Sequence, residues 1–437
     1  MPRSLLSLLA LTLILAPPAA GQSTVAPTAT LPDGVAHDSS GAPDSSVARD
    51  TPGTAESPRW ARVRSTVGHH ADDYVGADAG PGAVYDPESA VYPAAPPFRY
   101  NRVEGLVVGF ERDPLRPGAD DQTRVFGQLA YATALRDLRY TVGVESQLYA
   151  DGPTGLKLGV SYEEQTETTD RWKTSYLENS LAGAGFRLDF FDYYEAEGVT
   201  VYGVQDLPRT VQLSAGFRAQ AHRTLDVETN WSVFGDGSFR ANPAVEEGRM
   251  HTVFGALTAG RVRDHDGLPT GQAVRLAATL GEGLGGDFTF SRYEADGRVY
   301  LPLTRETRLA FRLRGGYATH GAPPQARFAL GGIGSVRSYD QNRFRGTRML
   351  LGNVEYLIDG ATIIDGVLDD LYVAGLADAG WVGGPADRFA VDEVVPSAGF
   401  SVGLDERKVR LDVTWPLRDG PGAKAGPSIW LRISPNF

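Results

Sequence analysis

From Tyr100 to the last residue, apolar and polar side chains alternate with a period of two, interrupted by clusters of turn-forming residues. Tyr140, Val142, Val144, Ser146 and Leu148 share one side of such a segment, with Thr141, Gly143, Glu145 and Gln147 on the other. Val211, Leu213, Ala215, Phe217 and Ala219 are interleaved with Gln212, Ser214, Gly216, Arg218 and Gln220. Leu309, Phe311 and Leu313 stand among Arg308, Arg312 and Arg314. Val409, Leu411, Val413 and Trp415 stand among Lys408, Arg410, Asp412 and Thr414. The pattern predicts about fifteen strands, near 102–111, 123–133, 139–149, 155–166, 197–205, 209–221, 248–262, 272–282, 291–302, 306–318, 346–358, 370–382, 396–405, 407–416 and 427–437.

Alternation alone also suits a soluble β-sandwich. These segments, however, run to about 9–15 residues, where globular strands average about 5–6. A closed barrel is the β-structure that satisfies every backbone group inside lipid, with strands of about 9–11 residues, apolar side chains outward and polar ones inward. The fold class read from the pattern is therefore all-β, a transmembrane antiparallel barrel. An odd strand count does not suit one, so the choice is 14 or 16, and 16 is preferred. If the short turns at 135–137, 205–209 and 304–306 all lie on the periplasmic side, an outward strand is missing before 197. "GFRLDFFDYY", 185–194, is the candidate, with a short helix or turn before it.

The N-terminus changes the picture. Arg3, the apolar run from Leu5 to Leu15, the break at Pro17 and Pro18 and the small residues Ala19, Ala20 and Gly21 follow the plan of a secretory signal peptide. Residues 22–98 are rich in Ala, Pro, Ser, Thr, Asp and Gly and read as a disordered or weakly ordered periplasmic arm. The expected organisation is a signal peptide over 1–21, this arm, and a barrel over 99–437. His69 and His70 with Asp72 and Asp73 could hold a metal, but a solvated polar run suits that composition better; no metal and no cofactor are expected. The chain has no cysteine and a formal charge of −12, which removes thiolate chemistry and disfavours nucleic acid as a partner. No H-E-x-x-H or P-loop occurs, no catalytic residue is assigned, and an enzyme is the least favoured class. An assembly or translocation barrel and a passive or gated channel, its selectivity tuned by Arg308, Arg312, Arg314, Lys408 and Arg410, remain.

One polar, basic insert stands out between two alternating segments: "GGIGSVRSYDQNRFRGTR", Gly331 to Arg348. Parity places Leu350, Gly352, Val354, Tyr356 and Ile358 on the lipid side of the next strand, and Asn353 and Glu355 in the lumen. In the strand after it, Val373, Gly375, Ala377, Ala379 and Trp381 face lipid and Asp378 faces the lumen. A loop folded inward would let Arg337 pair with both Glu355 and Asp378, which suits a planar guanidinium.

On these residues the chain resembles the Omp85 superfamily of BamA/TamA and surface antigen D15 barrels. "GGIGSVRSYD", with Gly332, Val336, Ser338, Tyr339 and Asp340, is similar to that family's loop signature, and "GNVEYLI" and "ADAG" carry the matching acids. The resemblance implies a sixteen-stranded bacterial outer-membrane barrel whose sixth extracellular loop lies in the lumen, locked by Arg337, Glu355 and Asp378. "YNRVEGLVVGF", from Tyr100, resembles a first barrel strand of the family. Ile429, Leu431, Ile433 and Phe437 resemble the β-signal read by the barrel-assembly machinery. The implied partners are outer-membrane lipid, that machinery during insertion, and client envelope proteins. Two features depart from the family pattern: Ser338 stands where a glycine is usual, and residues 22–98 do not look like folded POTRA repeats.

Overall fold

The alternating segments form one sheet of sixteen antiparallel strands. The computed structural model describes residues 95–114, 122–151, 154–208, 210–265, 268–359, 371–404 and 409–433. The signal segment, most of the expected arm, the His69–Asp73 cluster, Lys408 and Phe437 lie outside them. In chain order the strands are β1 (Arg99–Asn101), β2 (Gly105–Arg112), β3 (Thr123–Ala132), β4 (Asp137–Asp151), β5 (Thr154–Glu167), β6 (Tyr194–Leu207), β7 (Val211–Thr224), β8 (Gly248–His265), β9 (Leu268–Leu280), β10 (Ser291–Pro302), β11 (Thr307–Ala318), β12 (Phe328–Leu330), β13 (Phe344–Gly346), β14 (Arg348–Asp359), β15 (Leu371–Gly383), β16 (Val395–Leu404), β17 (Val409–Pro416) and β18 (Ser428–Ile433). All pair with their sequence neighbours, except that β11 pairs with β14, and β12 and β13 form a separate two-stranded ribbon within the intervening loop. One helix, α1 (Tyr176–Phe186), lies between β5 and β6.

The wall is sorted inside out. Along β4, Val142 and Val144 are exposed while Thr141 and Glu145 are buried. Along β17, Leu411 and Trp415 are exposed while Arg410, Asp412 and Thr414 are buried. That is the order a barrel in lipid requires. The twelve residues of β14, at about 3.3 Å each and tilted about 45°, span about 28 Å, close to a hydrocarbon core.

Three expectations need correcting. Residues 185–194 are not a strand. Ser175 accepts a hydrogen bond from the Glu178 amide to start α1, and Arg187 ends the helix in the left-handed region at φ 60°. Phe190 and Phe191, adjacent in sequence, are both buried, which a two-faced strand in the wall does not allow. The sixteenth strand is instead the three-residue β1, which precedes the strand expected over 102–111 and turns over at 102–104 into it, as β2. The turn at 133–136 consequently lies on the same rim as the long insert, and the turns at 208–210 and 303–306 lie on the opposite rim. Finally, Trp381 does not face lipid. It is buried against Phe389, and its indole N–H donates to Glu393 at 2.9 Å.

Two inserted segments, 168–193 and 319–347, bring apolar residues into the upper lumen. Trp172, Phe328, Leu330, Val336 and Tyr339 pack with Met349 and Leu351. Tyr176, Phe190, Phe191 and Ile333 pack with Val103 and Trp430. A polar-lined lumen thus holds an apolar core that the inserts carry in with them.

Candidate functional site

The insert between β11 and β14 enters the lumen through the ribbon β12–β13 and turns at its glycines. Gly332 (φ 82°) donates its amide to the Val336 carbonyl at 3.1 Å. Gly334 (φ 67°) lies so close to the Lys173 carbonyl that a Cβ there would come within 2.0 Å of it, so only glycine fits both demands. The Gly331 amide donates to the Ser335 hydroxyl at 3.1 Å, closing the turn. Ser338, where the family pattern has glycine, is fully buried and is not among the residues with left-handed backbone, so its path makes no demand that serine cannot meet. Tyr339 donates from its hydroxyl to the Pro396 and Arg418 carbonyls at 3.3 and 3.2 Å, and the Asp340 amide donates to Gly422 at 3.0 Å.

This turn aims Arg337 at the lumen face of the last five strands. Its Nη2 lies 2.6 Å from Glu355 Oε1 on β14 and 3.7 Å from Asp378 Oδ1 on β15, and its Nη1 lies 3.7 Å from Asp412 on β17. The Arg337 amide donates to Asp378 at 3.3 Å, and its carbonyl accepts from the Trp430 indole on β18 at 2.9 Å. Asp378 is further held by Asn353 at 2.7 Å and by the Ser397 hydroxyl on β16 at 3.0 Å. Arg410 grips Glu355 with two donors at 3.0 Å each and lies 3.0 Å from Asp412. Burial by itself would lower the Arg337 pKa, but Asp378, Glu355 and Asp412 outweigh it and leave it above its ordinary value, so the side chain stays a cation.

Position-by-position reading finds Arg337, Glu355 and Asp378 and brings them together here, but it misses half the cluster. The sequence pattern gives Arg410 to an open lumen and leaves Asp412, Arg432, Asn353 and Ser397 without a part in the lock. The signal is present in β17, whose Arg410 and Asp412 sit two residues apart on the lumen face. Glu178 on α1 carries no such signal, because α1 was not foreseen as part of the site. It accepts from Arg432 Nε at 2.7 Å, and Arg432 in turn lies 4.0 Å from Asp412. The cluster therefore holds three arginines and four carboxylates, all buried.

A second network joins the two inserts. Asn342, itself left-handed at φ 54°, donates to Asp170 at 2.8 Å and Asp192 at 2.7 Å and accepts from Lys173. Burial would raise the Asp192 carboxyl, but Arg240 and Arg345 overcome it and hold it well below the usual carboxylate range. On β11, beside β14, Arg312 and Arg314 lie over the Trp172 ring at 5.0 and 4.5 Å and pair with Asp296 of β10. Among the described residues one acidic trio, Asp137, Glu164 and Glu195, has ligand-like spacing, but Arg139 donates to all three at 3.0–3.4 Å and compensates their charge. Of the positions that resemble a β-signal, Ile429 and Leu431 are exposed on the outer face and Ile433 is half-buried.

The Omp85 superfamily domain matches residues 152–424. No curated protein matches the chain. Among solved structures, BamA from Haemophilus ducreyi lacking POTRA domains 1–3 is similar at 14% identity and a TM-score of 0.47, over 76% of this chain and 67% of that one. CdiB from Acinetobacter baumannii is similar at 14% identity and 0.42, over 71% and 53%, and CdiB from Escherichia coli at 13% and 0.37, over 76% and 60%. The chain thus spans little more than half the length of the CdiB structures. At such scores the likenesses add nothing to the domain match, which covers more than half of the sequence. The chain belongs to the Omp85 superfamily, as a barrel of the bacterial outer membrane.

Proposed function

We propose that this barrel serves envelope assembly or translocation, handling client envelope proteins at the join between its first and last strands. In this reading the insert 319–347 is a fixed lumenal plug, locked by Arg337 on Glu355 and Asp378. The observation that carries the reading is the open ends of the sheet: β1, three residues long, and β18 stand at its two extremes, and among the described residues no strand ladder joins them. Such edges are able to take another strand. Ile429 and Leu431 on β18 are placed to be read by the barrel-assembly machinery during the protein's own insertion.

Cysteines on β1 and β18 bridged by a reducible bifunctional cross-linker, in a chain that has no other cysteine, test the reading. Loss of the cellular role on cross-linking, restored by reductant, is the expected result. Full function with the join locked would refute it. A gated channel is the second reading, favoured by the lumenal row Arg298, Arg308, Arg312 and Arg314. A large, steady, anion-selective conductance in planar bilayers would support it and count against the fixed plug.

A further inference from the structure

The helix α1 is built the wrong way round for a helix in water. Its buried positions are Tyr176, Glu178, Asn179 and Gly183, two of them strongly polar, while Leu181 is 48% exposed and Leu188, just past the left-handed cap, is 45% exposed. Leu177, Leu181 and Ala184 recur at i, i+4 and i+7 on the same side of the helix, with Leu177 and Ala184 half-buried. Polar inward and apolar outward is the polarity of the barrel wall, not of a surface loop.

The helix also stands where the wall ends. The sheet order leaves β1 and β18 at its two extremes. The Ile433 amide on β18 donates to Glu178 Oε1 at 3.1 Å, and the Tyr100 amide on β1 donates to Ser180 Oγ at 3.0 Å. Glu178 and Ser180 are two residues apart, about 200° around the helix, so one side of α1 meets each end strand. Its own carbonyls are provided for: Ala184 and Gly185 accept from the amides of Val233 and Phe234 at 2.8 and 2.9 Å. A segment facing lipid needs its backbone satisfied in this way. At its upper end Phe186 stacks on Phe234 at 5.5 Å, both exposed, as aromatic residues are at a membrane interface.

We propose that α1 is a helical piece of the membrane wall, filling the join between β1 and β18 and turning Leu181, with Leu188 just past its cap, to bilayer lipid. This rests on the barrel fold and stands whether or not the protein handles clients.

The full chain has no cysteine, so single-cysteine variants carry one label. Leu181→Cys and Leu188→Cys, labelled with the fluorophore NBD, are reconstituted in phosphatidylcholine vesicles with nitroxides on the acyl chains. Val142→Cys on the wall and Asp236→Cys on an exposed loop set the lipid and water limits. Quenching at 181 and 188 that matches 142 and exceeds 236 severalfold is the expected result. Quenching that follows 236 and responds to aqueous iodide would overturn the proposal. Shielding from both quenchers would overturn it too, since the two positions would then be covered by protein.

Discussion

Replacing Arg337 by alanine removes the one side chain of the insert that touches acids on three wall strands. Breaking a buried ion pair costs about 3–5 kcal/mol where it strands an uncompensated charge. Here the partners keep other support. Glu355 retains both donors of Arg410 at 3.0 Å, and Asp378 retains Asn353 and Ser397. The lower end, about 3 kcal/mol, is therefore the appropriate figure, and it makes local opening of the insert about a hundredfold more frequent. Amide exchange followed by mass spectrometry over residues 331–340 reads that opening directly, because the amides of Gly332, Ser335 and Tyr339 are bonded within the turn itself. The expected outcome is exchange about a hundredfold faster there, with little change in β4 and β5. Arg337→Lys should fall between the two, since an ammonium keeps the charge and loses the planar fork. Unchanged exchange over 331–340 in Arg337→Ala would show that the apolar core around Val336 and Tyr339, not the ion cluster, holds the insert.

Asp192 carries a pH prediction. Its pKa is depressed in the fold, so its contribution to tethering the two inserts is complete above its ordinary value near 3.8 and lost as pH falls toward the depressed one. The difference in thermal midpoint between the protein and Asp192→Asn should be constant from about pH 7 to 5 and shrink below about pH 4; a difference that changes between pH 7 and 5 contradicts the assignment. Arg337→Ala and Glu178→Gln, combined, should depart from additivity in exchange over 331–340 by more than about 0.5 kcal/mol, and additive behaviour would deny the connection between insert and helix argued below.

Alternation carried the wall, because in lipid every strand must sort its side chains and the period of two is imposed on each residue. The faces of β14 and β15 follow from parity, apart from Trp381, which segment 384–394 covers. The acids facing the insert follow from the same parity. What alternation could not reach was the join. "GFRLDFF" alternates well enough to resemble a strand, yet Arg187 ends a helix there, and the helix is held by partners distant in sequence, Arg432 and Tyr100. The error in rim assignment had the same source. A three-residue strand such as β1 is too short to show a period, and omitting it inverted the side on which 133–136 was placed. Ser338 was a warning from the family pattern, but its backbone has no need of glycine.

The insert and the helix are held by one set of charges, which constrains how either can move. Arg432 lies between Glu178 at 2.7 Å and Asp412 at 4.0 Å, and Asp412 lies between Arg410 and Arg337. If α1 leaves the join alone, Arg432 loses its close partner and keeps only the distant one. If the insert leaves alone, Asp412 and Asp378 lose Arg337 while Trp430 loses the Arg337 carbonyl on the very strand that α1 braces. Each separate movement strands a buried charge or donor, whereas a joint movement lets water reach all of them together. The join and the plug are therefore expected to move together, so that a strand bound at the opened edge of β18 should also speed exchange over 331–340.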